Sequence, residues 1–307
     1  MAGLNVSLGF FLATFSLCQA ARWAAEALLP AGAWASFARE AVGAAQLGAC
    51  CLELRALAEL GPWAGGAGPD VALTLLFLLL LAHGATLDAS WANPSVALQD
   101  FLLASGSPVG LLRQLAAQAL GLWAAGLLTA RVWAWELSTP HLLQGLMAQH
   151  CGSTLHTSVA HGALLEGGGT LLLHLALLRL RTSLTVYRVP VLAALTTALA
   201  YAVGPFTSAF FNPALAAWLT FTCSGHTWWE YVQVYWLGPL AGMLLAVLLY
   251  HGHLPRLFQR NLIYSQKSKY RSPRVRPAPG LAEPQTPAGG PRGRDLGCRG
   301  SGRVGDR

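Results

Sequence analysis

Two short apolar runs, each opened by Asn-Pro and each preceded by a longer apolar span, constrain this chain more than any other feature. The first is Trp91-Ala92-Asn93-Pro94-Ser95-Val96-Ala97-Leu98, whose run ends near Ser105. The second is Gly204-Pro205-Phe206-Thr207-Ser208-Ala209-Phe210-Phe211-Asn212-Pro213-Ala214-Leu215, whose run ends near Thr222. Asn caps a helix, and Pro fits the first turn, where its missing N–H costs nothing. At ~1.5 Å per residue the second run covers about 15 Å, roughly half of a ~30 Å hydrocarbon core. One such dipeptide is an ordinary turn or cap. Two, with Asn93 and Asn212 lying 119 residues apart, are the pattern of a repeated pore fold with broken helices.

Composition places these runs in a membrane. The chain of 307 residues is 54% hydrophobic and only 11% charged, against about 25% charge in a soluble domain. Its mean hydropathy is +0.46. A net charge of +7 would suit a nucleic-acid binder, but 12 of the 20 Lys and Arg lie from Arg256 onward. The basic residues therefore form one tail rather than a binding face, and no nucleic-acid partner is expected. The six Cys are scattered, and no disulfide framework or zinc pattern is readable.

Leu4 to Leu29 is apolar apart from Arg22 and Glu26. It reads as a signal-peptide core, a signal anchor or a seventh span. With no basic leader and no small-residue cleavage site before Arg22, retention is favoured. Full spans then follow at Phe37 to Ala58, Val71 to Leu87, Leu111 to Trp133, His161 to Leu180, Val189 to Val203 and Tyr231 to Tyr250. A polar loop with Glu136, Pro140, His141 and His150 separates the third span from the fourth. The expected units are residues 1–36 as an N-terminal apolar helix, 37–253 as the channel domain and 254–307 as a disordered basic tail. Repeat one covers about 37–133 and repeat two about 158–250. Arg179, Arg181 and Arg188 fall on the tail's side, which the positive-inside rule makes cytosolic.

Each repeat holds an acid near the start of its first span, Glu40 or Glu166. Each acid precedes its Asn-Pro by 53 or 46 residues. Three full spans per repeat is an odd number, so the two repeats insert in opposite directions. Their half-helices then meet by their N-termini at the midplane. A carboxylate in the bilayer needs partners. The backbone N–H groups of the re-entrant loops would supply them, which is a structural role; proton relay is the functional alternative.

With these residues in view, positions 37–250 resemble an aquaporin. The Asn-Pro boxes, the paired Glu and the run Thr207 to Ala214 carry the resemblance. It implies an all-α membrane protein: an inverted repeat of six transmembrane helices and two re-entrant half-helices, here with an additional N-terminal apolar helix. The pore boxes would be Asn93, Pro94, Ser95, Asn212, Pro213 and Ala214. Two departures stand out. Ser95 replaces the usual Ala, and Leu215 follows the second box, where water channels of the family carry Arg. Ala200 stands where water-selective members have His. With Phe77 as a further filter candidate, the departures at Ala200 and Leu215 imply an outer constriction that is wider or greasier, one that would admit glycerol-sized solutes or hydrogen peroxide.

Cys223 resembles the mark of the intracellular superaquaporins, as do the segments Met1 to Leu8 and Tyr235 to Leu240. Simple helix packing, subunit packing and redox sensitivity remain open for that cysteine. The resemblance implies no enzyme activity, no cofactor and no metal, with water and small neutral solutes as cargo. It also implies a homotetramer in an intracellular membrane such as the endoplasmic reticulum, with a cytosolic C-terminus. The rival readings are a poorly conducting structural or regulatory family member and, less well supported, a seven-span receptor. The receptor leaves the two half-length runs unexplained.

Overall fold

Among the described residues of the computed structural model, seven helical segments are long and apolar enough to cross a membrane. Residues 2–60, 68–87, 90–104, 106–147 and 151–251 are described. The tail expected over 254–307, and His150, lie outside them. In chain order the helices are α1 Ala2–Leu28, α2 Ala33–Leu60, α3 Gly68–Thr86, α4 Pro94–Ala104, α5 Pro108–Trp133 and α6 Thr139–Met147. They continue with α7 Val159–Arg179, α8 Thr185–Thr207, α9 Pro213–Thr220, α10 Trp228–Val232 and α11 Gly238–Tyr250.

The caps explain most of these boundaries. Ser107 opens α5 by accepting the Gly110 N–H at 3.0 Å, and Pro108 fills the first turn. Ser158 caps α7 from the His161 N–H. Thr227 and Glu230 form a reciprocal capping box at α10. Between α10 and α11 the ladder widens to a π-turn over Gln233–Leu237, and Val234 and Tyr235 there are fully buried.

Within each repeat the first and third spans pack most closely: α2 on α5, and α7 on α11. Glycine makes this approach possible. A Cβ on Gly121 of α5 would lie 2.1 Å from the carbonyl oxygen of Ala41, and one on Gly242 of α11 would lie 2.1 Å from that of Gly167. Ala41 and Gly167 each directly follow the repeat's glutamate. The second spans, α3 and α8, pack against each other across the repeats.

The two half-helices point opposite ways. α9 runs toward the end where the Arg55 side chain of α2 donates to the Leu219 carbonyl. α4 runs toward the start of α5. At that same end Arg179 sits over the Tyr250 ring.

The N-terminal segment is a helix lying antiparallel on α2 and against α3. Phe11 packs with Cys50, Leu57, Leu75 and Leu79. Two polar clusters fix its register. Ser7 donates to Glu53, which also accepts from Trp133 Nε1 at 2.8 Å and pairs with His141 Nε2 at 2.9 Å. Farther along, Arg22 donates to Gln46 at 3.0 Å, and Gln46 bonds His83 and Thr86.

The stretch expected as a plain polar loop after the third span contains α6. Its His141 is fully buried against Glu53. A nine-residue amphipathic segment gives little periodic signal by itself, and the tertiary partner is what holds it.

Candidate functional site

The two Asn-Pro boxes meet, and side-chain amides tie each to the residue before the other. Asn93 Nδ2 donates to the Phe211 carbonyl at 3.0 Å, and Asn212 Nδ2 donates to the Ala92 carbonyl at 2.8 Å. Each Asn thus grips the carbonyl just before the other. Each Oδ1 turns the other way and caps its own half-helix: Asn93 accepts from Ser95 N at 2.9 Å, and Asn212 from Ala214 N at 3.2 Å and Leu215 N at 3.3 Å. An amide nitrogen carries two hydrogens, so one N–H per Asn remains for a passing oxygen. Two helix N-termini bring about half a positive charge each to this point.

The loops that deliver the Asn are held by the buried glutamates. Glu40 accepts from Trp91 N at 3.3 Å, Ala92 N at 2.9 Å and Gln118 Nε2 at 2.7 Å. Glu166 accepts from Phe210 N at 3.1 Å, Phe211 N at 2.8 Å and the Thr207 hydroxyl at 2.6 Å. Both carboxylates are buried, and donors of this kind are what such a charge needs in lipid. The geometry is that of a scaffold: all the donors are loop or helix groups, and no histidine is among them.

The residue before each Asn adopts the left-handed backbone, with φ of 50° at Ala92 and 48° at Phe211. Non-glycine residues rarely take it, and over-determined functional loops are where it persists. Glycine three residues past each glutamate makes room for these loops. A Cβ on Gly43 would lie 2.1 Å from Ser90 Oγ, and one on Gly169 would lie 2.1 Å from Phe211 Cε1. The repeated Glu-x-x-Gly was visible in the sequence; its purpose was not. Of the glycines at 167–169, Gly167 meets Gly238 and Gly169 meets Phe211, whereas Gly168 faces open space.

The remaining candidates are placed less centrally. Pro94, Ser95 and Pro213 are buried at the starts of α4 and α9, and Ala214 is half-buried. Leu215 is buried in an apolar cluster with Ala44, Ala92, Leu122 and Leu219. Phe77 on α3 and Ala200 on α8 are half-buried.

Cys223 is bonded to Cys151, which corrects the reading of scattered cysteines without a framework. The two lie 72 residues apart in sequence with Cα atoms 4.9 Å apart. The end of α9 and the loop before α7 are brought side by side, with Ser224 N donating to the Cys151 carbonyl at 3.2 Å. Thr154 joins in, bonded to Thr220 and to the Tyr235 hydroxyl. Spacing along the chain carried no trace of this pairing, because only the re-entrant path of the second loop creates it.

No family model matches the chain. Curated relatives do. Aquaporin-12 of Mus musculus is 64% identical over 92% of this chain and 98% of its own length. Aquaporin-11 of Mus musculus is 33% identical over 84% of this chain and 93% of its own.

The chain belongs to the aquaporin family.

Within it, this aquaporin fits the superaquaporin subgroup that aquaporin-11 and aquaporin-12 represent. It is a multi-pass membrane protein of a family of channels, not enzymes. Aquaporin-11 of Homo sapiens matches at 33% over 84% of this chain and 93% of its own length. A solved structure, the aquaglyceroporin from Plasmodium falciparum, covers 76% of this chain and 99% of its own with 16% identity and a TM-score of 0.48. That likeness is too loose to bear on cargo.

Proposed function

We propose that this aquaporin passes water and small neutral solutes, glycerol and hydrogen peroxide among them, through a path centred on Asn93 and Asn212. The supporting observation is the reciprocal donation between the two boxes. It leaves one amide hydrogen per Asn for a passing oxygen at the point where two helix N-termini converge. That electropositive centre repels cations and hydronium. Leu215 contributes no donor and packs into an apolar cluster. The outer constriction therefore lacks a fixed cation and disfavours fast water passage relative to larger neutral solutes. The same observation supports a second reading, a weakly conducting member that serves a structural or regulatory role in its membrane.

In this reading the Cys151–Cys223 bond marks an oxidising compartment at one end. The arginines 179, 181 and 188 and the basic C-terminal tail mark the cytosol at the other. The setting is an intracellular membrane with the disulfide in its lumen, and the assembly a homotetramer with one pore per subunit.

Stopped-flow permeability of proteoliposomes to water, glycerol and peroxide, side by side, tests the proposal. The channel reading expects solute flux well above protein-free vesicles, abolished in Asn212→Asp. Flux equal to protein-free vesicles for all three would leave the structural reading standing.

A further inference from the structure

We propose that α6 and the turn before it form a lipid-docking face, seated at the boundary between headgroups and acyl chains in the leaflet at the disulfide end. The stretch 135–146 carries four large apolar side chains that stand exposed: Trp135, Leu137, Leu142 and Leu146, from 39% to 70%. Its other side is fixed inward. Pro140 and His141 are buried, and His141 Nε2 pairs with Glu53 at 2.9 Å. Trp133 Nε1 reaches the same carboxylate at 2.8 Å. A short amphipathic helix held by its inner side and apolar on the outside has the form of one that lies in the membrane interface rather than across it.

Glu53 sets where that face points. On α2, Ala44 and Cys51 pack toward Leu215 and Leu219 of α9, and Arg55 reaches the Leu219 carbonyl. At about 100° per residue, Glu53 lies on the opposite face of α2, with Gln46 and Leu57, which meet α1. α6 is therefore docked on the outside of the bundle, away from the second half-helix. Depth follows from length. α2 has 28 residues, about 42 Å of helix against a hydrocarbon core of about 30 Å. With the excess shared between its ends, Glu53 sits about one turn inside the core boundary. Trp135 and α6 then stand at the level where Trp is the usual anchor. The patch also continues a surface already given to lipid, since Leu127 and Leu128 near the end of α5 are exposed. Left to water, such a patch is an aggregation liability. The charged neighbours Arg131 and Glu136 are themselves exposed, so lipid contact buries neither. This inference does not rest on the conduction reading.

The test uses the full-length protein in phosphatidylcholine nanodiscs doped with a diazirine-bearing phosphatidylcholine. The photoreactive group sits either next to the glycerol or at the acyl terminus, and cross-linked peptides are read by mass spectrometry. The glycerol-level probe should label residues 135–147. The acyl-terminal probe should label the middle of α5 and leave that stretch bare. Leu142→Asp/Leu146→Asp should cut glycerol-level labelling of the stretch about tenfold or more, the factor that follows from losing one buried leucine, with α5 labelled as in the parent. Should the double variant fail to fold, Leu146→Asn, at the most exposed of the four positions, should lower the labelling in the same direction. Absence of the glycerol-level label from the stretch, whether it stays bare or cross-links to a second copy or another protein, overturns the proposal. So does undiminished labelling in whichever of these variants folds.

Discussion

Gly169 and Phe211 claim the same space: a Cβ on the first would lie 2.1 Å from Cε1 of the second. The ring cannot step aside easily, because its own backbone is held left-handed and its N–H is bound to Glu166 at 2.8 Å. Gly169→Ala should therefore destabilise the protein by about 1–3 kcal/mol, the usual cost of overpacking. Gly168→Ala, which meets nothing, should stay within about 0.5 kcal/mol of the parent. Thermal unfolding of the two variants in one detergent checks the pair, and equal midpoints would refute the steric reading.

Asn212→Asp should remove solute flux and also lower stability. The Nδ2 donor to the Ala92 carbonyl disappears, and an anion replaces it beside a carbonyl oxygen. Losing a buried bond and leaving its acceptor unpaired costs about 1–3 kcal/mol. Asn93→Asp should behave alike, because its bond to Phe211 is the mirror contact. Stopped-flow flux together with thermal midpoints would show whether the two positions are equivalent.

Leu215→Arg should shift selectivity rather than merely damage the fold. Its N–H bonds the Asn212 cap at the start of α9 and its side chain clusters with Ala92, the residue before Asn93, so a longer side chain is introduced beside both boxes. A guanidinium there adds donors and a full charge. The ratio of water to glycerol permeability should rise. An unchanged ratio in a folded variant would remove Leu215 from the filter.

Breaking the Cys151–Cys223 bond with Cys223→Ser should cost about 2–5 kcal/mol. The single and double serine variants should be alike, since either one frees the end of α9. Thiol counting of the denatured protein with and without reductant gives the direct readout: reduction should expose two additional thiols. No difference between the two counts would refute the bond.

Glu53→Gln should loosen α1. Glu53 is fully buried and holds Ser7, Trp133 and His141 on three other helices. Replacing one acceptor oxygen by an amide leaves a buried donor unpaired, which typically costs about 1–3 kcal/mol. Hydrogen exchange should rise along Ala2–Leu28 before it rises in α7 or α11. Uniform exchange across all helices would deny the seam this role.

The spans were legible because apolar runs of this length have one use, and the boxes were legible because Asn-Pro twice over breaks that rule in a regular way. Glu40 and Glu166 could be matched to the loops because a bilayer leaves an acid few alternatives. Other features were hidden. Gln118 reaches Glu40 from 78 residues away, and no local pattern on α5 marks it. Ala92 and Phe211 look like ordinary apolar residues, yet both carry the strained backbone that aims the Asn. Glu53, an acid inside the span Phe37 to Ala58, carries no local sign of its partners on α1, α5 and α6, which turn it into a fastening. Cys151 lay in a loop with no periodicity to interpret.

The reciprocal clasp between the boxes has a corollary for control of flow. Each half-helix is riveted to the other's loop, and each loop to a buried acid in its own repeat, so the waist of the channel has no hinge. Any throttle this protein possesses has to work at its mouths: where the disulfide fastens one end, or where the turn carrying Arg179, Arg181 and Arg188 closes the other.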